Sequence, residues 1–300
     1  MKFSRHSLVA ILLLATSVLA VYFMTARFGL VNIDDYEYLV RSKAVVGGVS
    51  LSGLAWSWQS LEHGIVMTLK WLSYMLDFSL FGEEPWGAMH LHCVALHMVN
   101  AALVFVLLNV LLRQTAGESD ARRTGIALLA AAFWALHPLR VESVAWLSSR
   151  KDVLSFMFEM GACLCWCQAV CRKSVDGKFC AAYLLSLLLF GLGALAKPSV
   201  MTYPLLQACI DVFLLRRFRP RMYVIPLPMM LGIGMEAAYA QAAGGATGNL
   251  AAVPVCFRLL NAMSAFGIYL CNTVFPNGLA PQCMHRYPAL PRAVATGVVL

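Results

Sequence analysis

Two adjacent carboxylates, Asp34 and Asp35, follow the first apolar run of this sequence. Adjacent carboxylates at a membrane surface can ligate a divalent cation such as Mg²⁺ or Mn²⁺, or one of them can act as a general base. The same pair could instead lie in a solvated acidic loop, where an aspartate caps a helix that begins near Tyr36. Their position alone leaves the catalytic and the capping interpretations open.

A dense group of ionisable residues lies between two apolar runs, in the segment 133–156. Its members are His137, Arg140, Glu142, Arg150, Lys151 and Asp152. Charges this close to hydrocarbon are costly unless they are paired or used. The basic members could hold a phosphate, since a guanidinium makes bidentate contacts. Ion pairing at the interface, for example of Glu142 with Arg140, is the alternative.

A third candidate, Lys197, ends a long apolar run directly before Pro198. Its ammonium group could contact a phosphate or pyrophosphate, or it could simply extend to the membrane interface. Proline lacks a backbone N–H, so residue 198 is predicted to break the helix and to permit a re-entrant turn.

Apolar helices must position these residues. The chain has 300 residues, of which 60% are hydrophobic and 13% charged, whereas soluble domains are roughly 45–50% apolar and about 25% charged. The apolar runs are continuous, which excludes a barrel of alternating strands, and so much apolar surface excludes a disordered chain. The composition therefore predicts an all-α, polytopic membrane protein.

Runs of spanning length place the membrane helices. We expect them at residues 7–26, 88–112, 125–136, 153–170, 180–196, 199–215 and 222–242. The run 65–81 is predicted to be an interfacial or re-entrant helix because it contains Lys70 and Asp77, and the run 257–275 could cross the membrane or lie in its interface. The prediction is about seven to nine membrane helices in one domain, residues 1–300.

The net charge of +8 fits basic residues retained in cytoplasmic loops, with the N-terminus in the cytoplasm. No basic tract with interleaved aromatic residues is present, so we expect no nucleic-acid partner. The sequence also lacks a Walker loop, a G-x-S-x-G elbow and an H-E-x-x-H motif, which excludes the enzyme classes that depend on them.

Ten cysteines are present, and Cys163, Cys167 and Cys171 would share one helix face. No histidine or carboxylate joins them at a zinc-ligand spacing, so buried, inert thiols are predicted. At the start of another predicted span, His90 and His97 are expected to make helix-packing hydrogen bonds rather than to ligate a metal.

The segment FWALHPLRVESVAWLSSRKDVLSF, residues 133–156, resembles the bacterial membrane proteins that join a polytopic domain to tetratricopeptide repeats. It also resembles the eukaryotic transmembrane-and-TPR O-mannosyltransferases. The stretches LKWLSYMLDFSLFG, HLHCVALHMVNAALVF, LGALAKPSVMTYPLL and RLLNAMSAFGIYL fit the same pattern in order. The resemblance covers most of residues 31–288.

Such proteins are GT-C glycosyltransferases, and the resemblance implies many membrane helices, an external site and a lipid-phosphate sugar donor. Asp34 and Asp35 match the acidic pair of the first external loop. The remaining substrate-binding positions that match are His137, Glu142, Arg150, Asp152, Lys197 and Tyr287. Together with Arg140 and Lys151, they are predicted to bind the lipid phosphate and the sugar. Any metal would be a divalent cation at the acidic pair.

The predicted function is transfer of a sugar from a polyprenyl-phosphate donor to a protein or glycan acceptor, on the external face of the cell (inner) membrane. The predicted partners are the lipid-linked donor, the bilayer and this acceptor. No tetratricopeptide repeats follow, and the apolar run ending at Leu300 predicts a truncated membrane domain. The alternative is a non-catalytic multi-pass scaffold or an inactive remnant of such an enzyme.

Overall fold

The computed structural model describes residues 4–60, 66–115, 119–243 and 254–276, together with Leu279. Within these ranges every regular element is helical. Seven helices are long and apolar enough to cross a membrane, or up to eight if one bent pair counts as a single span. The prediction of an all-α protein with about seven to nine membrane helices is therefore confirmed.

The helices follow one another with short connections. They are α1 (Arg5–Tyr22), α2 (Lys43–Val46), α3 (Leu51–Gln59), α4 (Thr68–Phe81), α5 (Trp86–Thr115), α6 (Asp120–Ala135), α7 (Val141–Ala145), α8 (Arg150–Val170), α9 (Gly177–Ala196), α10 (Tyr203–Cys209), α11 (Pro226–Ala243) and α12 (Val255–Val274). Short 3₁₀ turns join several of them, including Pro138–Arg140, Leu147–Ser149 and Pro198–Thr202.

Helices α5 and α8 form the centre of the bundle. Helix α5 packs along α1, α6 and α8, and α8 packs along α9. Small side chains let α6 approach its neighbours, because Ala127, Ala131 and Ala135 recur every four residues and are all fully buried. Buried Phe105 of α5 and Trp166 of α8 belong to the largest apolar cluster, which therefore lies between these helices.

The alternating chain direction gathers several helix ends at one end of the bundle. The ends of α1, α6 and α9 lie there, together with the starts of α5 and α8. Contacts between them mark this end: Gly87 packs against the carbonyl oxygen of Ala26, and Lys197 pairs with Asp152. We call it the motif end, because the segment 133–156 turns around there.

Helix α4 has 14 residues and is not among the helices long enough to span the membrane. The predicted short helix at 65–81 is thus present, from Thr68 to Phe81. Gly82 ends it with φ +76°, a conformation that a residue with a Cβ rarely adopts. The buried carboxylate of Asp77 leaves α4 toward α5 and α8, which makes α4 part of the packed bundle.

Pro198 interrupts the helix, as the sequence predicts. Helix α9 ends at Ala196, and the segment Pro198–Thr202 forms a 3₁₀ turn before α10. Lys197 occupies the break in an extended conformation, with φ −158°. Lys197 therefore lies outside α9, at the junction with the 3₁₀ turn.

Candidate active site

The loop after α1 is held by Asp35, which is completely buried. One carboxylate oxygen accepts a 2.9 Å hydrogen bond from the backbone N–H of Val31. The other accepts from the backbone N–H of Ser148, at 2.9 Å, and from the Ser148 hydroxyl. Both oxygens are therefore occupied by protein donors, and Asp35 fastens this loop to the turn before α8.

Asp34 has different surroundings although it is the adjacent residue. It is only partly buried, and no hydrogen bond or ion pair reaches its carboxylate from the residues that the structure describes. The ammonium group of Lys151 lies within electrostatic range of it. Of the two acids, Asp34 is the one whose carboxylate is open to a ligand or to a proton.

The turn before α8 is fastened from a second side by Tyr74 of α4. The phenol donates a 2.6 Å hydrogen bond to the carbonyl oxygen of Leu147. Burial raises the pKa of Tyr74 well above its ordinary value, so the hydroxyl keeps its proton and stays a donor. Tyr74 and Asp35 thus hold adjacent residues of one turn.

The segment between α6 and α8 bends by 56° at His137. The Nδ1 atom of His137 accepts a 3.2 Å hydrogen bond from the backbone N–H of Leu139, which caps the turn Pro138–Arg140. Its Nε2 atom donates to the carbonyl oxygen of Thr273 in α12 at 3.1 Å. Both ring nitrogens are therefore engaged, and His137 positions the turn that presents Arg140.

The side chains of Arg140 and Glu142 have different surroundings. The guanidinium of Arg140 lies 5.6 Å from the centroid of the Trp134 ring, and its Nε–H is buried with no partner in the described ranges. Glu142 is exposed and belongs to the charges around Lys151. The ion pair between Glu142 and Arg140 that the spacing allowed is not among the described contacts.

Arg150 lies in the protein interior, with its side chain fully buried. It makes a 2.5 Å ion pair with Asp77 and donates to the carbonyl oxygens of Met89 (2.9 Å) and Ser73 (3.3 Å). Its Nε–H points to the thiol of Cys93 at 3.3 Å. These partners engage all three nitrogens of the guanidinium, and its role in phosphate binding stays a prediction.

Asp152 and Lys197 form an ion pair across the motif end. Both side chains are partly exposed, at 28% and 34%, so water or a ligand can reach them. Lys151 is near the same pair. The sequence places these residues 45 positions apart, and only the packing of α8 on α9 brings them together.

A cavity of about 320 Å³ opens beside this ion pair. Its charged lining residues are Arg140, Asp152, Glu159 and Lys197, and its other lining residues include His97, Asn100, Trp134, Ser143, Phe156 and Ser199. The Trp134 and Phe156 rings stack at 4.8 Å and form an apolar wall. The volume is at the lower end of the roughly 300–1,000 Å³ of small-molecule sites.

The residues predicted as site members thus divide into groups. The structure brings together Asp34, Arg140, Glu142, Lys151, Asp152 and Lys197 at the motif end, with His137 behind them as a support. Asp35 and Arg150 are held by protein groups, and Tyr287 lies outside the described residues. Sequence reasoning missed His97, Asn100 and Trp134 as cavity residues. A polar Asn100 three residues after His97 within an apolar run was the available signal.

The acidic pair does not fit a metal site made from both carboxylates, because Asp35 is completely buried and its carboxylate faces three protein donors. No group of three or more His, Cys, Asp or Glu residues that could hold a metal ion is found in the described part of the chain. We therefore derive no step through a divalent cation.

The other sequence candidates make packing contacts. His97 lies 2.8 Å from the carbonyl oxygen of Ala135 in α6, as the helix-packing interpretation predicts. His90 lies 3.4 Å from the carbonyl oxygen of Gly29, in the loop after α1. The described cysteines are all free thiols, and Cys163 and Cys167 are buried as predicted.

The fold and this site define a multi-pass helical membrane protein with a charged, aromatic-walled cavity at one end of its bundle. The chain is similar to protein O-mannosyl-transferase TMTC4 of Homo sapiens, at 27% identity over 220 residues. It is 29% identical over 200 residues to protein O-mannosyl-transferase Tmtc1 of Drosophila melanogaster. It is 28% identical over 158 residues to human TMTC2. The resemblance to the transmembrane-and-TPR O-mannosyltransferases is confirmed.

These similarities cover 69%, 64% and 53% of this chain, in the same order. They cover only 30%, 21% and 18% of the relatives, so the chain spans less than a third of the proteins it matches. No family model matches the chain, and no solved structure matches it.

Proposed function

We propose that this protein is a membrane glycosyltransferase that transfers a sugar from a polyprenyl-phosphate donor to a protein or glycan acceptor on the external face of the cell membrane. One observation carries the proposal: Arg140 and Lys197 line one cavity, and Lys151 lies within electrostatic range of both Lys197 and the open carboxylate of Asp34. A carboxylate suits an acceptor hydroxyl, and a group of cations suits a phosphate leaving group.

The relatives support the choice of sugar and acceptor. They are named protein O-mannosyl-transferases, so mannose is the first sugar to test and a protein hydroxyl is the first acceptor. The lipid carrier follows from the setting, because a charged site at the end of a membrane bundle can receive a phosphate whose polyprenyl chain stays in the bilayer.

In the proposed reaction, Asp34 accepts the proton of the acceptor hydroxyl. The hydroxyl oxygen forms a bond to the anomeric carbon of the sugar while the bond from that carbon to the phosphate oxygen breaks. The electron pair leaves with the polyprenyl phosphate, where Arg140, Lys151 and Lys197 stabilise the growing negative charge. A single displacement of this kind inverts the configuration at the anomeric carbon.

Asp152 has a positioning role in this proposal. Its ion pair with Lys197 holds the ammonium at the cavity while both side chains remain partly exposed. Asp35 has a similar but indirect role, because its hydrogen bond with Ser148 holds the loop that contains Asp34.

The proposed orientation puts the N-terminus in the cytoplasm and the motif end outside. Basic residues concentrate in the connections at the opposite end of the bundle, among them Arg172, Lys173, Arg216, Arg217 and Arg219. An excess of Lys and Arg in short loops is typical of the cytoplasmic side, which supports this orientation.

The test is a transfer assay in membranes that contain the full chain, with radiolabelled polyprenyl-phosphate mannose and a serine- and threonine-containing peptide. We expect Asp34→Asn to lower turnover by roughly 10²- to 10⁴-fold, the usual contribution of a general base. Glu37→Gln is the matched control, since Glu37 is exposed and pairs only with Arg41 among the described residues, and it should keep wild-type turnover.

Wild-type turnover in Asp34→Asn would remove this residue from the mechanism. If the wild-type chain gave no transfer with a panel of lipid-linked sugars and peptide or glycan acceptors, the enzyme proposal would be overturned in favour of a scaffold or an inactive remnant.

A further inference from the structure

Three residues in the lining of the cavity have hydrogen-bond acceptors that the proposed mechanism leaves unused. They are His97 and Asn100 of α5 and Glu159 of α8; we call them the acceptor wall. His97 and Asn100 are almost completely buried, at 1% exposure each.

Asn100 presents an acceptor because its donor is already used. Its Nδ2 group donates a 2.8 Å hydrogen bond to the carbonyl oxygen of Val153. A carbonyl oxygen cannot donate, so this contact fixes which end of the amide is the NH₂ group. The Oδ1 atom is buried and has no partner in the described ranges.

The same reasoning fixes the histidine. The Nε2 atom of His97 lies 2.8 Å from the carbonyl oxygen of Ala135, so Nε2 carries the proton. In the neutral imidazole Nδ1 is then an acceptor, and it too is buried without a described partner. The His97 ring packs against Tyr22 and Trp134, which holds its orientation.

Glu159 adds a carboxylate deeper in the bundle. It lies seven residues after Asp152 on α8, so the two side chains share a helix face about 10 Å apart along the axis. No hydrogen bond or ion pair of Glu159 is found within the described part of the chain. A carboxyl group so far from the helix end has a high desolvation cost in a membrane protein, so it usually has a functional role.

Buried acceptors without partners call for a ligand that donates hydrogen bonds. An anion alone does not satisfy them. The lining carries two cations, Arg140 and Lys197, against two acids, Asp152 and Glu159, so the cavity as a whole does not select a cation. A neutral group with several hydroxyls that is attached to an anion satisfies both parts of the cavity. The stacked Trp134 and Phe156 offer an apolar surface to the C–H face of such a group.

We propose that the acceptor wall is the sugar subsite of the donor: His97, Asn100 and Glu159 accept hydrogen bonds from its hydroxyls while Arg140 and Lys197 hold its phosphate. The inference rests on the proposed function and assigns the sugar end of that donor. Glu159 is the most informative member, because it has no described structural partner to lose.

The experiment measures binding of two lipids to the purified full chain in detergent: polyprenyl-phosphate mannose and bare polyprenyl phosphate. We expect the wild-type protein to bind the glycosylated lipid more tightly. In Glu159→Leu this preference should fall by roughly tenfold, the value of one hydrogen bond to a charged group, while the affinity for bare polyprenyl phosphate does not fall, because the variant removes a negative charge from the cavity. Glu159→Gln keeps one acceptor and should show an intermediate preference.

Glu236→Leu is the matched control, because Glu236 is the acid of an apolar helix, α11, that does not line the cavity; its preference should equal that of the wild type. Lys197→Met should weaken the binding of both lipids.

Binding is measured without transfer, so it separates the sugar subsite from the enzyme proposal. Equal affinity of the wild type for both lipids, or an unchanged preference in both Glu159 variants, overturns the sugar subsite even where transfer is active. If no transfer is detected but the preference for the glycosylated lipid depends on Glu159, the enzyme proposal is contradicted and the sugar subsite is supported.

Discussion

The carboxylate of Asp35 accepts hydrogen bonds from both the backbone N–H and the hydroxyl of Ser148, which follows it by 113 residues in the chain. This contact joins the first loop of the protein to the turn before α8. The two segments that carry Asp34 and Lys151 are thereby held side by side, so the arrangement of the proposed site depends on an acid that does not itself face the ligand.

Removal of this link should destabilise the protein. We expect Asp35→Ala to lower the free energy of unfolding by about 2–4 kcal/mol, because the two buried donors of Ser148 and the part-buried N–H of Val31 lose their acceptor. Thermal unfolding of the purified protein in detergent measures the loss. Asp34→Asn is the control, and it should leave the unfolding temperature unchanged. Equal unfolding temperatures for Asp35→Ala and the wild type would contradict the role given to Asp35.

Arg150 distinguishes a structural role from a phosphate-binding one. Its guanidinium is buried with Asp77, so Arg150→Met should destabilise the protein by about 3–5 kcal/mol, because the buried carboxylate loses its cation and keeps only the His92 ring as a partner. Asp77→Asn in the same chain should recover part of this loss. A variant Arg150→Met with wild-type stability and weakened binding of polyprenyl phosphate would instead support the role that the sequence motif implies.

Unlike the Arg150–Asp77 pair, the Asp152–Lys197 pair should matter more for ligand binding than for stability. Both groups are partly exposed, and such ion pairs contribute only about 0–1 kcal/mol to stability. Lys197→Met should therefore unfold at nearly the wild-type temperature and yet bind bare polyprenyl phosphate roughly tenfold more weakly. A large loss of stability with unchanged lipid binding would assign the pair to the structure alone.

Helix α12 is one of the seven helices long and apolar enough to cross a membrane, but its contacts lead us to expect that it lies in the membrane interface. The carbonyl oxygen of Thr273, near its end, contacts His137 at the motif end, and Gly234 of α11 packs against Met201 at that end too. The residues 244–254 between the two helices are too few to cross about 30 Å of hydrocarbon as a helix. An irregular crossing exposed to lipid would leave backbone groups unsatisfied.

This topology can be measured with a membrane-impermeant maleimide. Single cysteines at Arg258 and Asn272, in a chain otherwise free of cysteine, lie on one face of α12, about 21 Å apart along the axis. Labelling of both R258C and N272C from the same side of the membrane is expected. Labelling of one from each side would mean that α12 crosses the bilayer.

The sequence by itself determined the class of protein and most of its helices. Long apolar runs can be satisfied in lipid only as helices, so their lengths locate the spans without knowledge of their neighbours. Helix α6 is an instructive case: the apolar run predicts 125–136, while the helix begins at Asp120, because polar residues extend it past the hydrocarbon. The break at Pro198 was predictable as well, since it follows from the missing N–H of one residue.

The tertiary structure alone decided which charged residues share a site. Asp34 and Asp35 are chemically identical neighbours, yet only packing shows that Ser148 occupies Asp35 and leaves Asp34 open. Arg150 and Lys151 are adjacent too, but Arg150 is buried against Asp77 whereas Lys151 lies near Asp152 and Lys197. Hydrophobic patterning fixes helices one at a time, whereas a hydrogen-bond partner or a cavity is set by side chains far apart in the chain that only the packed bundle brings within a few ångströms.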